Sequence, residues 1–215
     1  MTAQPFFVFA HDLGQTPLQW EDLIASLPPG VGAACPWLRG TRPGGSPVPF
    51  SVADAAAALI TTLDENGART GTLVGVGLGG TIALRAALAA PERVDRVVAV
   101  SAPAQPSKAQ LRAQRMALRV VPASRLAAQN IDKARLLAAL KGAAEQDTSD
   151  ALAALAVPVT LVVGGRDSAA LSAARTLGDL LPEVTLQVLP DAAADLPRSQ
   201  AAALAALLFG AGEGS

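Results

Sequence analysis

Cysteine and histidine are almost missing from this sequence: Cys35 is the only cysteine and His11 the only histidine among 215 residues. Neither a disulfide framework nor a Cys/His zinc site can be assembled within such a chain, so no metal is expected, and nothing in the composition calls for a cofactor. Tyrosine is absent, aromatic residues make up 3% and charged residues 16%, whereas hydrophobic residues reach 51%. The apolar content is therefore mainly Ala, Leu and Val, which is a globular and not a disordered composition. The formal net charge is −1. It gives no electrostatic reason to expect nucleic acid or an anionic membrane as partner. Met1 to Ala10 carries no positive stretch, and the apolar run Phe6 to Ala10 is too short for a secretory core or a membrane span. A cytoplasmic, soluble protein is the expectation.

What is present alternates in type along the chain. Phe6 to Ala10 reads as a buried strand that ends in the polar break His11-Asp12-Leu13-Gly14. A helix is predicted over Leu18 to Ser26, a second short strand over Val31 to Cys35, and a Gly/Pro-rich loop over Arg39 to Pro49. Ser51 is a good N-cap for a helix running to about Asn66, with Asp54 at its N3 position. Thr72 to Val76 is a third strand, broken by Gly77 and followed by a helical segment from Gly80 to Ala90. Val94 to Val100, Val157 to Val163 and Thr185 to Leu189 supply three more short apolar runs, separated by helical stretches.

Continuous apolar strands alternating with helices indicate a mostly parallel sheet of about six strands, covered on both faces. Ligands bind beyond the carboxyl ends of the strands in such sheets, so the loops after Ala10, Cys35, Val76 and Ser101 and the loop Gly164 to Asp167 form the edge to search. Between the fourth and fifth strands, Ala102 to Leu155 has no convincing strand and reads as two or three helices, a small cap-like insertion. One domain over residues 1–215 is expected, with Gly210 to Ser215 as a disordered tail.

Five segments stand in order along the chain: His11 to Pro17, Pro36 to Gly40, the strand-turn-helix Leu73 to Gly80, Val163 to Asp167, and Leu189 to Pro197. Together they resemble the compact, esterase-like or lactonase-like members of the α/β-hydrolase fold family, which uses the same order. The resemblance covers nearly the whole chain and implies an α/β-hydrolase fold. It also implies a site. The family's nucleophile elbow is G-x-S-x-G, a sharp turn that lifts a serine oxygen beside backbone N–H donors. Here the five residues are Gly75-Val76-Gly77-Leu78-Gly79, so Gly77 stands at the nucleophile position with no hydroxyl. The family's histidine falls in a loop where this chain has Ala194, just before Asp195-Leu196-Pro197, and Asp167 matches the acid position. Losing nucleophile and base in a triad enzyme costs about six orders of magnitude in turnover, roughly 8 kcal/mol of transition-state stabilisation.

The resemblance further assigns the oxyanion-hole donors to the backbone of Leu13 and Leu78, with His11 and Asp12 beside them; the family usually has His-Gly where this chain has His11-Asp12. An inward carboxylate at residue 12 would repel a developing oxyanion. Glycine at residue 77 also has a plain physical reading, since an elbow residue is held at a positive φ that glycine tolerates.

Other readings compete at the same edge. Gly75 to Gly80 also satisfies G-x-G-x-x-G, the dinucleotide fingerprint, but it follows the third strand, and the next strand ends Val98-Ala99-Val100-Ser101 without an acidic residue for a ribose. His11 and Cys35 end the first two strands, which the resemblance implies are neighbours, and form an imaginable reactive pair, against a small buried cysteine and a loop-anchoring histidine. Asp12 and Ser101 share the edge and would suit lyase-like or isomerase-like acid-base work. Arg112, Arg115 and Arg119 fall on one helix face, which fits a solvated surface or an anionic partner. The favoured expectation is a member without hydrolytic chemistry that binds a small molecule or a protein, with Asp12, His11 or Asp167 as acid-base groups of another enzyme class as the alternative, and ester or lactone hydrolysis as the third.

Overall fold

The computed structural model describes residues 4–44, 48–103, 108–144 and 149–209. The expected tail, Gly210 to Ser215, lies outside the described residues, as do short parts of the Gly/Pro-rich loop and of the cap-like insertion.

Six strands form one sheet: β1 (Phe6–Ala10), β2 (Gly32–Ala34), β3 (Gly71–Val76), β4 (Val94–Val100), β5 (Val159–Gly164) and β6 (Val184–Leu189), in the order β2-β1-β3-β4-β5-β6. Every pairing is parallel. All strands therefore end at one edge, and the helices between them must cross the faces. Successive strand residues point to opposite sides, and the core divides accordingly. Val8, Ala10, Leu73, Val97, Ala99, Leu161 and Val163 pack on one side, against α2 (Val52–Glu65), α3 (Leu78–Ala89) and α7 (Ser168–Gly178). Phe7, Phe9, Val74, Val76, Val98, Val100 and Val162 pack on the other, against Trp20, α1 (Glu21–Ala25), α8 (Leu196–Ser199) and α9 (Ala201–Phe209). This is a parallel α/β sheet with helices on both faces.

Helix α2 illustrates the local causes. Its buried residues Val52, Ala55, Ala56, Leu59 and Leu63 recur at helical spacing. The Ser51 hydroxyl caps it by accepting from the Asp54 N–H at 3.0 Å. The helix ends in a turn where Gly67 adopts φ +67°, and Arg93 bonds Asp64 at 2.6 Å and the Arg69 carbonyl at 2.7 Å, tying this end to the approach to β4.

Several boundaries differ from expectation. The first helical segment is a 3-10 turn, Pro17–Trp20, that continues into the short α1. Strand β2 pairs over only three residues at the sheet edge, between the prolines at 28, 29 and 36. Strand β5 begins after Pro158, whose missing N–H cannot enter the ladder. Between β4 and β5 lie α4 (Lys108–Val120), α5 (Ala123–Ala127) and α6 (Lys133–Ala144), followed by a 3-10 stretch, Ser149–Ala154. Leu111 of α4 and Leu136, Ala139 and Leu140 of α6 join the core beneath them.

Candidate functional site

The turn from β3 into α3 determines the site. Gly77 has φ +55° and ψ −122°, a conformation that costs a residue with a side chain about 1 to 3 kcal/mol. Its N–H donates to the Val100 carbonyl at 2.9 Å, which fixes the turn to the end of β4. Helix α3 starts at once, at Leu78, two residues earlier than expected, because nothing separates the turn from the helix. Two neighbouring glycines are there for contact. A Cβ on Gly79 would lie 2.7 Å from the His11 carbonyl oxygen, and one on Gly75 would lie 2.5 Å from the Gly80 nitrogen. Helix and strands can approach this closely only without those side chains.

Asp12, immediately after β1, turns its carboxyl into this elbow. Its Oδ1 accepts from the Leu78 N–H at 2.8 Å. Leu78 is one of the two amides that the resemblance assigns to an oxyanion hole, and Leu13, the other, follows Asp12 in the chain. A Cβ built on Gly77 would overlap the Asp12 carboxyl, coming within 2.6 Å of Oδ2. The loop behind is held from three sides. The buried Gln19 accepts from the Asp12 N–H at 3.2 Å. The Asp12 carbonyl accepts from Gln15 N–H at 3.1 Å and lies 2.8 Å from His11 Nδ1. Burial pushes the Asp12 carboxyl above its ordinary value, while the Leu78 and Leu13 amides pull it down, and burial is the larger effect.

His11 faces away from this point. Its Nε2 accepts from the Leu38 N–H at 3.2 Å, so the remaining ring proton sits on Nδ1 and goes to the Asp12 carbonyl. Trp37 meets the ring edge-on at 5.5 Å. Fully buried and neutral, with its pKa lowered to about 4 by desolvation, His11 anchors two loops. It does not line the cleft described below, contrary to the expectation that placed it at the pocket. Cys35 donates to the Pro17 carbonyl at 3.3 Å, and burial raises its thiol to about 12. The two side chains engage different backbone groups, and the reactive pair imagined from their strand ends does not form.

A cleft of about 300 Å³ opens above the elbow. Its floor is Asp12, Leu13, Gly77 and Leu78; Ser101 and Pro103 follow β4; Gln110, Leu111 and Gln114 come from α4; Asp167, Ala169, Ala170 and Ala173 close the far side. Asp167 is the N-cap of α7, its Oδ1 accepting from the Ala170 N–H at 3.0 Å. Ser101 holds φ +46° while its N–H donates to the Val162 carbonyl at 2.8 Å, a strained conformation for a residue with a Cβ. Ala194 is exposed and not among the lining residues. Its loop is held to the end of β5 by Gly165 N–H to the Leu189 carbonyl, 2.8 Å, and Arg166 N–H to the Ala192 carbonyl, 2.9 Å.

The structure thus brings Asp12, Leu13, Gly77, Leu78, Ser101 and Asp167 together, leaving His11 behind them and Ala194 outside. Gln110 and Gln114 were not anticipated as site residues; both are exposed on α4 and border the cleft. Gln19 was missed entirely, since nothing in a single sequence marks an anchor seven residues from its partner. Arg112 and Arg119 are exposed on α4 and Arg115 is half-buried, and none of the three lines the cleft. The dinucleotide reading meets a physical obstacle: the helix N-terminus where a pyrophosphate would sit already holds the Asp12 carboxyl. Among the described residues, no group of three His, Cys, Asp or Glu side chains could hold a metal ion, and no helix is long and apolar enough to cross a membrane.

A family model described as alpha/beta hydrolase fold matches residues 5–126, more than half of the chain. The chain belongs to the α/β-hydrolase fold family. Solved structures agree in fold over almost all of it. A hydrolase from Pseudomonas aeruginosa PA01 is similar at 18% identity, covering 98% of this chain and 90% of that one, with a TM-score of 0.83. The enol-lactonase from Burkholderia xenovorans LB400 is similar at 17% identity, covering 95% and 89%, with a TM-score of 0.83. A thermophilic esterase from Thermogutta terrifontis, solved with malate bound, is similar at 19% identity, covering 95% and 88%, with a TM-score of 0.80. No curated protein matches the sequence.

Proposed function

We propose that this chain is a small-molecule-binding member of its family that has abandoned serine-hydrolase chemistry. One observation carries the reading: the Asp12 carboxyl lies in the space a side chain at residue 77 would need, and holds the Leu78 amide. A serine cannot be accommodated at residue 77 while Asp12 keeps this position. Asp167, the acid of the resemblance, serves as a helix cap, and Ala194 supplies no base. The open volume of the cleft favours a ligand over a pure scaffold role, because a scaffold would be served by filling it.

A second reading rests on Asp12 itself. A desolvated carboxyl that holds its proton more tightly than usual, set in a cleft, is suited to acid-base chemistry on a bound substrate. The two readings separate experimentally. A fragment library is titrated into isotope-labelled protein and the amide resonances of Leu13, Leu78 and Ser101 are followed. Saturable shifts at these amides, with the fragment recovered unchanged, support binding without chemistry. Fragment turnover abolished in Asp12→Asn supports the second reading. No saturable shift from any fragment contradicts both.

A further inference from the structure

A backbone donor at the elbow already has an occupant that belongs to the chain. We infer that Asp12 is the specificity-determining residue of the cleft: its tethered carboxyl holds the Leu78 amide, so ligands with a carboxylate or acyl-oxyanion head are refused and ligands with a hydrogen-bond-donor head, such as an amine, are taken.

The geometry supports this in three ways. First, the donor that an incoming anion would need is satisfied at 2.8 Å by Asp12 Oδ1. An anion would have to displace a covalently tethered group, whose ordering on folding has already been completed. Second, the tether is rigid. The Asp12 N–H is bound by the buried Gln19 at 3.2 Å, and its carbonyl is held by Gln15 and His11. The backbone that carries the carboxyl is therefore fixed by buried partners, and the Leu78 amide holds the carboxyl itself. Third, the only charged side chains that line the cleft among the described residues are Asp12 and Asp167. No cation stands there to compensate an anionic ligand, whereas both carboxyls can accept from a donor. The site thus inverts the polarity its family's scaffold would present, from donors aimed at an oxygen to an acceptor aimed at a donor.

The donor preference rests on the proposal that the cleft binds small molecules; the occupation of the Leu78 amide by Asp12 does not. The test compares two probes of similar shape, benzoate and benzylamine, on the full chain. Heteronuclear NMR reports the Leu13 and Leu78 amides in the wild type, Asp12→Ala and Asp12→Asn. The wild type is expected to bind benzylamine and to show no saturable response to benzoate. Asp12→Ala, which vacates the Leu78 amide, should gain benzoate binding by about tenfold or more and lose benzylamine preference. Asp12→Asn keeps an acceptor oxygen in place and should refuse benzoate as the wild type does. Benzoate binding to the wild type as tight as benzylamine overturns the inference. So does benzoate binding to Asp12→Asn equal to that of Asp12→Ala, which would make charge alone the cause. A wild type that binds neither probe, with benzoate still gained in Asp12→Ala, retires the small-molecule proposal and leaves the occupied Leu78 amide standing. Should Asp12→Ala fail to fold, the wild type suffices: the Leu78 amide resonance must titrate together with the Asp12 carboxyl, and an amide indifferent to that titration overturns the inference.

Discussion

The carboxyl of Asp12 and the absent side chain of Gly77 occupy one space. A Cβ at residue 77 would come within 2.6 Å of Asp12 Oδ2, so the two residues are alternatives to a side chain pair and not independent changes. Gly77→Ala should therefore destabilise the fold by about 2 to 4 kcal/mol, combining a positive-φ penalty with overpacking. Asp12→Ala removes the obstructing atoms, and in the double variant only the backbone penalty should remain. Urea denaturation of the four proteins of this cycle should give a coupling of about 1 kcal/mol or more. Additive effects would mean that the two positions do not compete.

Asp12 also leaves a signature in the pH dependence of stability. Its pKa is raised above 3.8 in the folded state by burial, so the native state binds more protons than the unfolded one. The stability it contributes is present below about pH 4 and lost as pH rises through the folded pKa. Asp12→Asn should therefore match the wild type near pH 4 and melt at a higher temperature at pH 8. A lower melting temperature for Asp12→Asn at pH 8 would contradict the buried carboxyl described here.

His11 works with the opposite sign. Its pKa falls from 6.5 to about 4 on folding, so the unfolded state binds the extra proton. The stability it contributes is complete above pH 6.5 and lost as pH falls through about 4, a total of about 3 kcal/mol at 1.36 kcal/mol per unit. His11→Gln should remove this acid sensitivity. Because His11 is the only histidine, no other imidazole can mask the result. Unfolding free energies measured at pH 7 and pH 4.5 in both proteins provide the check.

Cys35 should be inert in the native state. With its thiol raised to about 12 by burial, the thiolate fraction at pH 8 is about three orders of magnitude below that of an unfolded cysteine. Labelling by a disulfide reagent should be slow in buffer and fast in denaturant. Equal rates would restore Cys35 as a candidate nucleophile.

Much of the architecture was legible because periodicity carries it. The strands Phe6–Ala10 and Val94–Val100 emerge with the bounds read from their apolar runs, and Ser51 caps its helix as its type and position suggest. Edges were less legible, since Pro158 and the short pairing of β2 trim strands by tertiary context. The elbow was visible through its glycines. What could not be read was direction: that Asp12 points into the cleft and the buried His11 away from it depends on which backbone groups each can reach, the Leu78 amide for one and the Leu38 amide for the other. Gln110 and Gln114 join the cleft only through the placement of α4, a long-range matter that no local pattern encodes.

Hydrolysis of p-nitrophenyl butyrate by the wild-type protein is the most direct measurement of the central claim, that Gly77 and Asp12 together leave the cleft without serine-hydrolase chemistry. The account predicts a rate indistinguishable from buffer at all ester concentrations. Saturable turnover by the wild type, lost on substitution of Asp12 or Asp167, would contradict it.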